Sequence, residues 1–250
     1  MLLKLLGYDL KRNVEAFLGV AAMLITASVV VRASFGIDSL IAAIAMSFII
    51  MSAMFLSGSI SFLIIFNSYK KSVFGSFGYL TLTLPVKRST VLLSKTISSC
   101  VWFNFMAIIT IIAIIFAFTA DFGWDLSSLS PAIFVQIAIM VIIANAYAFM
   151  VLSIMHMAIT ISNSSFNGVI INKWVGYGIG FGYFIMQWIV TSLLNNTALR
   201  EHLYVRAYRP SSSIIFHISF NWLDALTPMA FGLIAYFITL NLLNNRVELK

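Results

Sequence analysis

Six apolar runs, each close to or longer than the roughly 20 residues that carry an α-helix across a bilayer, leave this chain few choices of fold. They fall at about Val14–Val31, Ser39–Phe66, Val91–Thr119, Pro131–Ile161, Lys173–Leu194 and Leu223–Leu243. Hydrophobic residues make up 61% of the chain and charged residues only 9%, against about a quarter charged in soluble domains. The expected fold is therefore an all-α polytopic membrane protein, residues 1–250 forming a single transmembrane domain of six helices. Pro131 opens the fourth run where its missing N–H costs nothing. Cys100 lies in an apolar run as the single cysteine and reads as a buried thiol.

Three stretches do not fit the spanning pattern. Residues 1–13, MLLKLLGYDLKRN, are short for a span and partly segregate leucines from cations, which suits a helix lying in the inner interface. They do not read as a secretory signal, because the charges follow the first leucines and no small-residue cleavage site closes the next run. Residues 195–222 form the largest outer segment, and their apolar latter half, SIIFHISF, is expected to return into the outer leaflet as a re-entrant or interfacial hairpin. The third stretch, Asn67 to Lys95, carries Lys70, Lys71, Lys87, Arg88 and Lys95 without an acid. Phe74, Phe77 and Tyr79 make its middle too apolar for a plain linker, and Pro85 stops any helix before Lys87 and Arg88. It reads as a short cytoplasmic helix, within residues 67–88, that presents an apolar face to a partner; the alternative is a basic loop whose cations touch anionic lipid headgroups.

Charge sets the orientation. With both termini cytoplasmic, eleven cations lie inside (Lys4, Lys11, Arg12, Lys70, Lys71, Lys87, Arg88, Lys95, Lys173, Arg246, Lys250) and four outside (Arg32, Arg200, Arg206, Arg209). The opposite orientation would invert that ratio, against the excess of Lys and Arg on cytoplasmic loops. The net charge of +7 is accounted for in this way, so no nucleic-acid partner is expected. Cysteines placed at Ser72 and Ser165 are expected to label from the inside.

The run GYLTLTLPVKRSTVLLSK resembles the segment after the second span in small bacterial permeases of the type-2 ABC exporter family, with the likeness covering Gly75 to Lys95. In that family the segment contains the coupling helix that docks on a separate ATPase subunit, and a connecting helix precedes the first span. The resemblance implies a permease in the bacterial plasma membrane that pairs with a second permease copy, identical or closely related, and with two ATPases. It assigns ATPase coupling to Lys70, Lys71, Phe74, Phe77, Tyr79, Pro85, Lys87 and Arg88. No GxxxxGK[ST] motif occurs, so the chain is not expected to be an enzyme or to bind a cofactor itself; ATP and Mg would sit on the partner ATPase. The cargo that fits best is an amphipathic, cytolytic or antimicrobial peptide, as for permeases resembling the phenol-soluble modulin exporter. A lipid or drug cargo, or a non-transporting peptide-immunity subunit, are the alternatives.

Other polar and small residues stay open to two readings. Gly176/Gly180 and Gly178/Gly182 form overlapping GxxxG pairs that allow close backbone approach, within one copy, between two permeases or at a flexible gate. His156, Asn145 and Gln187 lie within spans, where interhelical hydrogen bonding or lining of a translocation path would explain them. His156, His202 and His217 are too scattered to suggest a metal site.

Overall fold

The computed structural model describes residues 2–34, 40–75, 87–122, 131–166, 169–170, 172–195, 203–207, 216–220 and 222–245. Their long elements are α1 (Leu2–Ser34), α2 (Leu40–Val73), α3 (Arg88–Phe122), α4 (Pro131–Asn163), α5 (Lys173–Asn195) and α6 (Trp222–Asn245). All six are long and apolar enough to cross a membrane, which makes this a multi-pass membrane protein. Two small antiparallel ribbons accompany them: β1 (Ser165–Phe166) with β2 (Val169–Ile170), and β3 (Leu203–Ala207) with β4 (Phe216–Phe220).

Several boundaries differ from the sequence-based expectation. The N-terminal residues 1–13 are not a separate interfacial helix, since α1 runs unbroken from Leu2 to Ser34. Nothing between Lys11 and Ala16 can stop it, because the stretch holds neither Pro nor Gly. The described part of the apolar latter half of residues 195–222 is one strand of an antiparallel hairpin that lies between α5 and α6 in the chain. Its residues Phe216–Phe220 pair with Leu203–Ala207, Leu203 lying opposite Phe220 and Ala207 opposite Phe216. Both strands contain aromatic and β-branched residues, which favour a pleated ribbon.

The described chain groups into two compact units, one of Met1–Val86 with Leu93–Trp124 and the other of Lys87–Leu92 with Asp125–Lys250. In the first, α1 packs along α2, and Val31, Met46, Ile50 and Ala117 form a shared core with Met54 against it. Phe17 of α1 stacks on Trp102 of α3 with ring centroids 4.3 Å apart. At the other end of α1, Arg32 donates to the Phe116 carbonyl (3.1 Å) and lies over the Phe116 ring.

In the second unit α4 is the central helix, packed on both α5 and α6. Met150, Ile154, Met157 and Ile161 recur at helical spacing along one face of α4 and meet Ala235 and Leu242 of α6. Small residues set the close approaches. A Cβ at Gly176 would stand 2.6 Å from the Ser162 backbone nitrogen, one at Gly180 would be 2.7 Å from the Ala158 Cβ, and one at Gly232 would be 2.7 Å from the Phe149 ring. Asn172 caps α5, its Oδ1 accepting from the Trp174 N–H at 3.2 Å. α6 runs through the buried Pro228, which cannot donate to the Asp224 carbonyl one turn earlier.

Candidate coupling site

The cationic segment begins as a continuation of α2. The helix carries Lys70 and Lys71 in its last turn, where cations suit the negative end of the helix dipole. Lys71 is exposed and Lys70 half-buried. Phe74 closes the helix by donating its N–H to the Lys70 carbonyl at 2.9 Å. Gly75 then ends it, since a Cβ there would lie 2.7 Å from the Lys71 carbonyl oxygen. Phe74 is half-buried, its ring edge-on to the buried Tyr69 at 6.4 Å. Part of its apolar surface is thus already covered by its own unit. Ser72, expected to be accessible to labelling, is buried and donates to the Tyr69 carbonyl at 3.0 Å. Phe77, Tyr79 and Pro85 lie outside the described residues.

At the far side of the segment, the Lys87 carbonyl accepts from the N–H groups of Thr90 (2.8 Å) and Val91 (3.3 Å), so Lys87 starts α3 with its side chain exposed. Arg88 has a different role from the neighbouring lysine. Its guanidinium donates to the Leu243 carbonyl in the last turn of α6, capping one of the backbone acceptors a helix end leaves open. Tyr236 adds a weak bond to the Ser89 carbonyl at 3.5 Å. The start of α3 is in this way attached to the end of α6.

Lys95 departs furthest from the picture of a solvated basic segment. It lies on α3, 8% exposed, and donates to the carboxylate of Asp9 on α1, itself only 2% exposed. Ser94 Oγ stands 3.4 Å from the other carboxylate oxygen, and Arg12 Nη2 is 3.9 Å from the first. Arg12 also donates to Ser68 of α2, to its carbonyl at 3.2 Å and its hydroxyl at 2.5 Å, and Asn13 donates to the same hydroxyl at 3.0 Å. A polar cluster thus ties α1, α2 and α3 together inside an otherwise apolar unit. The adjoining cavity, bordered by Asp9, Ser68, Lys95, Ser98 and Trp102, measures only about 10 Å³. That is room for no more than a water molecule, so the cluster is a structural tie and not a ligand pocket.

Sequence reasoning missed this tie because its two ends are far apart in the chain. A signal was nonetheless present: Lys95 falls inside the third apolar run, and an ionisable residue within a span calls for a partner. Asp9 is the only acid in the first turns of the chain.

The remaining candidates are spread through the second unit. Gly176 and Gly180 pack against α4, whereas a Cβ at Gly178 or Gly182 would meet nothing within 4 Å. The two overlapping pairs therefore face different surroundings, and only the first is used within the described chain. His156 is fully buried on α4, and its carbonyl accepts from Thr160 Oγ1 at 2.8 Å. Asn145, half-buried, donates to the Val141 carbonyl at 2.8 Å, as Asn104 of α3 does to the Cys100 carbonyl. Gln187 is buried and donates to Thr191 at 3.0 Å. These bonds run along single helices, because a residue one turn away is within reach of a short polar side chain without help from a neighbouring helix. Comparison of the chain with protein-family models, with curated proteins and with solved structures finds no match.

Proposed function

We propose that this chain is the permease subunit of an ATP-driven exporter of the type-2 ABC class, acting in the bacterial plasma membrane. The observation that carries the reading is the sequence Gly75 to Lys95, a coupling-type segment that leads from the end of α2 into the start of α3, with Lys70 and Lys71 just before it and Lys87 and Arg88 within it. Such a segment suits docking on a soluble partner, since a sequence that mixes aromatic residues with cations gains from a partner that covers the apolar side chains. The partner is a separate ATPase subunit that holds ATP and Mg. Phe74, Phe77 and Tyr79 supply the apolar contact, and Lys70 and Lys87 meet acidic groups around it. Closure of an ATPase pair would pull on the segment. Two permease copies would then open an outward route for an amphipathic peptide.

The test is co-purification of the full chain, tagged, from membranes that also contain the candidate ATPase, followed by ATPase measurement with amphipathic peptides, lipids and drugs. The exporter reading requires a stably associated ATPase whose turnover changes with peptide. A chain that binds peptide but recruits no ATPase is a sequestering, immunity-type subunit, and stimulation by lipids or drugs in place of peptides reassigns the cargo.

A further inference from the structure

Beside the polar tie of the first unit lies a cavity of about 350 Å³ between α1 and α2. Along α2 its wall changes character within three turns. Ile60, Leu63 and Ile64 line it toward the middle of the helix, and Asn67, Ser68 and Lys71 line it toward the end. The spacing places all six on one side of α2. From α1, Arg12 and Asn13 complete the polar end. None of the lining residues is acidic.

The chemistry of the polar end favours an anion. Among the described residues, the contacts of the Arg12 guanidinium with Ser68 and Asp9 all run through Nη2. A guanidinium carries five N–H donors in a planar fork suited to phosphate, so donors on Nε and Nη1 remain. Lys71 is exposed, and among the described residues no acid pairs with it. Asp9, the nearest acid to Arg12, is already bonded to Lys95. Lys95 therefore releases Arg12 to act outward.

The apolar end decides which anion. A free phosphate would use Arg12 and Lys71 and leave the wall of Ile60, Leu63 and Ile64 without purpose, whereas a diacyl lipid uses both ends. We infer that this groove is a binding site for one anionic phospholipid, its phosphate held by Arg12 and Lys71 and an acyl chain laid along Ile60, Leu63 and Ile64. The site belongs to the first unit alone and is independent of what the chain transports. Its occupant would join α1 to the end of α2, the helix from which the cationic inner segment emerges.

Native mass spectrometry of the full chain in detergent, mixed with equal amounts of phosphatidylglycerol and phosphatidylcholine, tests the site. One phosphatidylglycerol should be retained in preference to phosphatidylcholine. Lys71→Gln removes an exposed charge that makes no described internal bond, and it should weaken retention about fivefold, the worth of one cation near an anionic headgroup. Ile64→Trp fills the groove and should abolish retention while the chain stays monodisperse. Equal retention of the two lipids, or unchanged phosphatidylglycerol binding in Lys71→Gln, would overturn the proposal. So would displacement of the lipid by an equal concentration of inorganic phosphate, which would make the groove an ion site.

Discussion

Removing Lys95 should destabilise the protein far more than removing Asp9 and Lys95 together. In Lys95→Met, the Asp9 carboxylate stays at 2% exposure and loses its ammonium partner. Breaking a buried pair from one side costs about 3–5 kcal/mol. Arg12 Nη2, at 3.9 Å from the carboxylate, remains as a partial substitute, its gross attraction at that range being about 4 kcal/mol at an effective dielectric of about 20. The loss for Lys95→Met is therefore expected near the lower end, at about 3 kcal/mol. Asp9→Leu has no such relief. It leaves the Lys95 ammonium buried near the like-charged Arg12, and the loss should approach about 5 kcal/mol. In the double variant no charge is left stranded by the pair, and two apolar side chains of similar volume fill its place. The net change should then lie within about 1 kcal/mol of the parent. Unfolding in mixed micelles, followed by helicity, would give the four free energies of this double-mutant cycle. Additive losses, or a Lys95→Met variant as stable as the parent, would refute a buried pair as the link between α1 and α3.

Three further outcomes follow from other parts of the structure. Gly176→Leu and Gly180→Leu should each prevent α5 from closing on α4, lowering the thermal midpoint of the purified chain, while Gly178→Leu and Gly182→Leu should leave it unchanged; if the latter pair instead abolishes cross-linking between copies, their face is a contact between permeases. Lys71→Cys, in a Cys100→Ala background, should react with an impermeant maleimide only in inside-out vesicles, and reaction from the outside would reverse the topology. Phe74→Ala with Phe77→Ala should abolish ATPase recruitment with insertion intact, and Lys87→Ala should weaken it moderately and more at low salt than high; recruitment untouched by the aromatic pair would remove the docking assignment.

The contrast between Lys87 and Arg88 shows where reading the chain as text reaches its limit. The two are adjacent, equally charged and follow the same proline, yet one side chain is exposed and the other caps the end of α6. Their difference depends on a helix end more than 150 residues away, which no local pattern encodes. The GxxxG pairs make the same point. Both offer close approach in sequence, and only their phase on α5 decides that Gly176 and Gly180 meet α4.

What the amino-acid sequence determined by itself was the solvent of the fold and its element order. Long apolar runs have one economical structure in hydrocarbon, so six spanning helices and their approximate bounds were legible without any tertiary information. A local signal also marked one helix start, at Pro131. Only the tertiary structure decided which charges face water and which are buried in pairs. Asp9 and Lys95 belong to stretches that each read as inner-surface segments, and burial became affordable for either only because packing α1 against α3 brings it an opposite charge.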